Sequence, residues 1–265
     1  MTLDGGFTFS KVPPGDYVLQ GIVGGPRGRP EQFGMQFVTV SVSGAPPAVI
    51  RTAPGATLAG RVILEGDATG VPFERFGLSA QPADWDHVST GSEAPSAIAE
   101  EDGSFAMALL FGPMRITGSA PSGWWLKSVH VGGIDATDQP FHFTSGLLPD
   151  ATAVFADTGA SLAGSVVDER GSPAKSYSVL IFSVDRNRWW AASGYVMLAR
   201  PDDAGRFAAA TLPPGEYLAA AVDTFDILSE WLDPEVLASL APRAQRVTLP
   251  PDGAITTVLE LIRRQ

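Results

Sequence analysis

The chain has 265 residues, 45% of them hydrophobic and 18% charged, enough for about two domains of ordinary size. Its net charge of −11 comes with no basic stripe, which argues against nucleic-acid binding, and the spread of acidic residues reads as a solvating surface. With no cysteine there are no disulfides and no thiol chemistry, and no apolar run approaches the roughly 18 residues of a membrane span.

Asp4-Gly5-Gly6-Phe7 opens the chain as a tight turn, because glycine supplies the positive φ such turns need. Phe7 and Phe9 alternate with Thr8 and Ser10, the period of a half-buried strand. Val12-Pro13-Pro14-Gly15-Asp16-Tyr17 then interrupts the chain, since proline cannot donate to a ladder, and Tyr17-Val18-Leu19 restarts an apolar strand. Gly24 to Gly34 reads as a polar loop, Phe37 to Val42 as a closing strand, Gly44-Ala45-Pro46-Pro47 as a turn, and Ala48-Val49-Ile50 as an edge. Residues 1–50 are thus expected to form the C-terminal part of a truncated first β-sandwich. Either the chain is a fragment of a longer one, or this half-domain borrows strands from elsewhere. Residues 1–20 show no basic n-region and no apolar h-region, so no signal peptide is read there.

Gly55-Ala56-Thr57-Leu58-Ala59-Gly60-Arg61-Val62 opens a second unit, expected over 55–156. Strands are predicted at Leu58 to Leu64 and Phe76 to Ala80, with a loop over 82–96. The turn-and-strand pattern returns in worn form as Asp102-Gly103-Ser104-Phe105 and Phe111-Gly112-Pro113, predicting a hairpin of Phe105 to Leu110 and Met114 to Gly118. Trp124-Trp125-Leu126-Lys127-Ser128-Val129, the turn Gly132-Gly133-Ile134-Asp135 and a last strand over Ala151 to Phe155 follow.

Gly159-Ala160-Ser161-Leu162-Ala163-Gly164-Ser165-Val166 repeats the opening of the second unit and starts a third, expected over 159–265. Strands are predicted at Leu162 to Val167, Tyr177 to Val184, Trp189 to Ala192 and Tyr195 to Leu198. Gly205-Arg206-Phe207 and Leu212-Pro213-Pro214-Gly215-Glu216-Tyr217 repeat the first hairpin, and Gln245 to Leu249 and Ile255 to Leu261 close the unit. Asp233 as N-cap and Pro234 at N1 start one short helix, Glu235 to Leu240, ended before Pro242; it is expected to pack over the open end of the sandwich. A repeat of roughly 100 residues is the size of a whole sandwich domain, not of a solenoid unit, so the expectation is all-β with tandem sandwiches.

The Leu-x-Gly-x-Val opening, the Asp-Gly-x-Phe turn and the Pro-Pro-Gly-x-Tyr hairpin resemble the carboxypeptidase regulatory-like domain, a transthyretin-like or Ig-like β-sandwich. The likeness covers nearly the whole chain as tandem copies. The middle copy departs from it, with Gly112-Pro113-Met114-Arg115 in place of Pro-Pro-Gly-x-Tyr. Trp124 to Asp138 is similar to a recurring ending of that family. The resemblance implies export, to the periplasm, cell surface or medium, and an accessory role.

Chemistry is sparsely signalled. His87, His130 and His142 have no partner at metal-ligand spacing, and no nucleophile elbow, phosphate loop or dinucleotide fingerprint occurs. No catalytic, cofactor or metal residue is assigned, and the chain is read as not an enzyme. Asp135 with Asp138, and Asp223 with Asp226, are weak calcium candidates against turn-capping roles. Of each pair Trp124/Trp125 and Trp189/Trp190, one ring should face the core and one outward. Trp85, Trp124 and Trp189 are the candidates for a carbohydrate-binding platform. Two readings stand: a non-catalytic spacer and interaction segment of a larger exported or surface protein, and a carbohydrate-binding module. The partner is a polysaccharide, another protein or a domain of the same chain.

Overall fold

The computed structural model describes residues 5–24, 30–83, 94–223 and 232–263. Its strands are β1 (Gly15–Gly24), β2 (Pro30–Val40), β3 (Ala53–Pro54), β4 (Ala56–Glu65), β5 (Gly77–Pro82), β6 (Ser96–Ile98), β7 (Ser104–Leu110), β8 (Gly112–Ser119), β9 (Trp125–Val131) and β10 (Ile134–Asp135). They continue as β11 (Phe141–Phe143), β12 (Gly146–Ala156), β13 (Ala160–Val167), β14 (Ser178–Ser183), β15 (Val196–Ala199), β16 (Arg206–Leu212), β17 (Gly215–Val222), β18 (Gln245–Leu249) and β19 (Ala254–Ile262), with one α-helix, α1 (Pro234–Leu240).

The protein is all-β, built as tandem sandwiches. Strands β4 to β12 form a five-stranded sheet in the order β10-β9-β12-β4-β7 and a four-stranded sheet in the order β11-β8-β5-β6. Leu58, Phe76, Phe105, Met107, Val129 and Phe155 meet in the core between them. Strands β13 to β19 run in the order β15-β14-β17-β19-β13-β16, with β18 on β17. Their core gathers Leu162, Val179, Ile181, Phe207, Tyr217 and Leu259. In both, the opening strand lies parallel to the last one, β4 beside β12 and β13 beside β19.

That pairing explains the repeated Gly-Ala-x-Leu-Ala-Gly. A Cβ on Gly60 would sit 1.9 Å from the Ala151 carbonyl oxygen, and one on Gly164 would sit 1.9 Å from that of Thr257. Only glycine lets the opening strand come this close to the closing one.

The repeated turn also has a local signature. The fourth residue after each phenylalanine is left-handed: Lys11 at φ 61°, Leu109 at 65° and Thr211 at 56°. In the two complete sandwiches this residue is the extra one of a bulge, where β7 and β16 slip against β4 and β13. The tyrosine after each Pro-Pro-Gly is tied back in the same way. Tyr17 Oη donates to the Pro13 carbonyl at 2.9 Å, and Tyr217 Oη to that of Pro213 at 2.8 Å.

Five expectations are corrected. The repeated turn closes no hairpin: β7 pairs with β4 while β8 pairs with β5 and β11, and β16 pairs with β13 while β17 pairs with β14, β18 and β19, so the turn carries the chain from one ladder to another. Phe7 to Ser10 is not a strand, because the strand that would pair with it, as β4 pairs with β7, is not there among the described residues. The predicted loop over Gly24 to Gly34 is entered early by β2, whose ladder with β1 runs back to Pro30. Trp189 to Ala192 is turn, because Asp185 caps a tight helical turn at Arg186–Arg188 that swings the chain out of the sheet. Finally α1, capped by Asp233 Oδ1 accepting from Glu235 N–H, does not close an end. Leu237 and Leu240 pack on Leu180, Phe182, Ala220 and Val222, the outer face of β14 and β17. This is why β14 is apolar at successive positions: one face meets the core, the other the helix.

Candidate functional site

Among the described residues, charged and aromatic side chains meet at the seam between the two sandwiches. On one side, the Gly-Gly-Ile-Asp turn holds itself together. Asp135 Oδ1 accepts the Thr137 N–H at 2.8 Å, and Thr137 Oγ1 accepts that of Val129 at 2.9 Å. The chain then turns through Asp138, left-handed at φ 55°, and β8 places Arg115 so that Nη1 donates to the Asp138 carbonyl at 2.8 Å.

On the other side, the loop after β14 is pinned by Trp189. Its indole N–H donates to the Ser183 carbonyl at 2.7 Å and its ring stands edge-on to Phe182, 5.3 Å away. With Trp189 anchored inward, Trp190 reaches the seam, where the Arg115 guanidinium lies 5.2 Å from its ring centroid. Ser193 Oγ lies 3.4 Å from Asp138 Oδ2. Behind them Arg188 covers Tyr195 at 3.8 Å, and Tyr195 stacks on Tyr217. A second tie holds the link itself: Trp125 Nε1 donates to the Thr158 carbonyl at 2.7 Å, between β12 and β13.

Burial dominates the electrostatics. It pushes the Asp138 carboxyl up to about 6, against the opposing pull of nearby Trp190, Arg188, Arg115 and Ser193. It lowers the Arg115 guanidinium and raises the Tyr195 and Tyr217 hydroxyls. Arg115 Nε and the Trp190 indole N–H are buried without a completed hydrogen bond among the described residues. The seam thus couples desolvated charge to aromatic faces, an arrangement that orients one sandwich against the other. Outside it, a shallow concavity of about 530 Å³ lies between β6 and β7, with Glu100 its one titratable lining residue.

The structure does not gather the expected tryptophans. Trp85 lies outside the described residues, as do His87, Asp226 and Trp231. Trp124 is half-buried, its ring edge-on to Phe76 at 5.4 Å. Trp189 is corrected as a platform residue: it is 5% exposed, and its pinned indole leaves no open face for a sugar ring. Asp135 caps its own turn and Asp138 reaches across the seam, so the pair does not converge on one point. Among the described residues no three His, Cys, Asp or Glu side chains assemble as a metal set. His130 is half-buried on β9 and His142 exposed on β11. Arg115, Arg188, Ser193 and Tyr195 carried no linear signal, since the seam joins residues far apart in the chain; Trp190 was visible only as the second of a Trp pair.

No family model matches the chain, and no curated protein matches it. Solved structures do. The Bacillus anthracis TIE protein aligns at 10% identity over 94% of this chain, with a TM-score of 0.27. The chain spans half the length of that protein. GBS52, the minor pilin of Streptococcus agalactiae, aligns at 13% identity over 77% of this chain and 94% of its own, with a TM-score of 0.32. BcpA, the major pilin subunit of Bacillus cereus, aligns at 9% over 94% of this chain and 85% of its own, with a TM-score of 0.27. At such scores the fold assignment rests on the sheets and cores described above. No helix among the described residues is long and apolar enough to cross a membrane.

Proposed function

We propose that the chain is a non-catalytic structural segment of a larger exported or surface protein, a spacer and interaction module of carboxypeptidase regulatory-like sandwiches. On this reading its domains are 1–50, 55–156 and 159–265, and its partners are other domains or other proteins. The observation that carries it is the seam: Arg115 on Trp190, Asp138 beside Ser193 and Trp125 on Thr158 tie one sandwich to the next. A spacer needs a held angle between its units, whereas a catalytic site needs a concavity with convergent polar groups.

Small-angle scattering tests it. The expected profile fits one fixed arrangement of the second and third sandwiches, and Trp190→Ala broadens it. A native profile that already demands a wide range of inter-unit angles would overturn the spacer reading. The extracytoplasmic part is tested separately: antibody against the chain should label intact, unpermeabilised cells of the source organism.

A further inference from the structure

The two seams of the chain differ in chemistry. Strand β2 meets the second sandwich through apolar groups: the Phe33 and Phe111 rings lie 5.1 Å apart, and a Cβ on Gly112 would touch Met35 Cε at 3.9 Å. The seam between the second and third sandwiches instead buries a carboxyl. Asp138 Oδ2 lies 3.4 Å from Ser193 Oγ of the third sandwich. The two arginines beside it are engaged elsewhere. Arg115 Nη1 donates to the Asp138 main-chain carbonyl, and its guanidinium lies over Trp190. Arg188 covers Tyr195 and pairs with Asp185 at 3.8 Å.

The other groups that face or feel the Asp138 carboxyl are the Trp190 indole, Tyr195 just before β15 and Tyr217 on β17. Asp135, which acts on Tyr195 and is itself drawn by His130, is the second acid of the cluster. Among the described residues neither arginine forms an ion pair with the Asp138 carboxyl. A carboxyl desolvated in this way is held best as the neutral acid, because a buried charge without an ion pair is costly. Once ionised it favours water, which it reaches when the two sandwiches part.

We infer that Asp138 is a proton-operated latch between the second and third sandwiches: the acid form holds the seam shut, and ionisation lets it open more often, while the apolar seam at Phe33 and Phe111 is indifferent to pH. The latch rests on the spacer reading, and it assigns the chain one adjustable joint beside one fixed joint. Burial pushes the Asp138 carboxyl up to about 6 in the closed seam, against 3.8 for an ordinary aspartate. The closed seam therefore binds the proton more tightly than the open one. Its opening becomes more frequent as pH rises from 3.8 to about 6, by about tenfold for each pH unit, and levels off above. Trp125 on Thr158 and Arg115 on Trp190 do not titrate there, so the closed arrangement stays the main one and the open one is a minor population.

The test uses the whole chain. It has no cysteine, so Ile63→Cys, at a position 47% exposed on β4, carries a single nitroxide. Paramagnetic relaxation at the amides of β13 to β19 reads the minor open population. That population should grow about tenfold for each pH unit up to about 6 and then stay level, with relaxation at β1 and β2 unchanged. Asp138→Asn keeps a neutral side chain of the same shape, and asparagine suits the left-handed backbone at φ 55°; it should abolish the rise. An open population that ignores pH, an equal rise in Asp138→Asn, or an equal rise at β1 and β2 overturns the latch. Relaxation that demands a wide range of angles at every pH overturns the spacer reading with it, whereas one held arrangement at every pH overturns the latch alone.

Discussion

The hydroxyl of Tyr217 donates to the carbonyl of Pro213, four residues back and 2.8 Å away, inside a fully buried pocket. Removing it strands a buried acceptor, so Tyr217→Phe is expected to cost about 1–2 kcal/mol. The same bond from Tyr17 to Pro13 lies in solvent, where water replaces the lost donor, and Tyr17→Phe should change stability by less than about 0.5 kcal/mol. Urea unfolding of the two variants, followed by hydrogen exchange in each segment, checks the contrast.

Phe207 and Phe105 are 1% and 4% exposed, whereas Phe7, the same residue of the repeat, is half-exposed beside Phe9. Phe207→Ala should destabilise its sandwich by about 3–5 kcal/mol. Phe7→Ala should cost about 1 kcal/mol or less, since little apolar surface is buried there. Denaturant midpoints for the two give the ratio directly.

Gly164 faces the Thr257 carbonyl too closely for any side chain. Gly164→Ala must part β13 from β19 and is expected to cost about 3 kcal/mol or more. Gly194→Ala is the control: a Cβ there meets nothing nearer than 4.0 Å, and its stability should stay within about 0.5 kcal/mol of the parent.

Asp138 makes the seam pH-dependent, and the sign follows from its raised value. The folded protein holds the proton more tightly than the unfolded chain, so this group's stabilising contribution is fully present below its ordinary value of 3.8 and is lost as pH rises through about 6. Asp138→Asn should flatten that dependence. Unfolding midpoints of both proteins across this window test it; a parent whose seam gains stability from this residue as pH rises would contradict it.

Trp190 holds the seam by its ring, and its indole N–H helps to pull down the Asp138 carboxyl. Trp190→Phe keeps an aromatic face under the Arg115 guanidinium and removes only that donor, so inter-sandwich docking should weaken by less than about 1 kcal/mol. Trp190→Ala removes both and should loosen it more. Residual dipolar couplings, read as the spread of inter-sandwich angles, distinguish the two.

Local patterning was enough to read the all-β class, the three copies of the turn and the capped helix at Pro234–Leu240; that the turn joins different ladders and not the two strands of a hairpin was decided by distant pairing. Turn glycines, alternating residues and an Asp-Pro cap act within a few residues, and neighbours in the chain suffice to specify them. Even the half-exposed first copy keeps its left-handed Lys11 and its Tyr17 bond, with almost no core to enforce them. What the third dimension decided is of another kind. Which of two adjacent tryptophans is buried, why the opening motif needs Gly60 and Gly164, where the helix docks, and that Arg115, Asp138, Trp190 and Ser193 meet at one seam all depend on contacts between distant segments. No local propensity encodes those contacts, because each is set by what the opposing sheet leaves open.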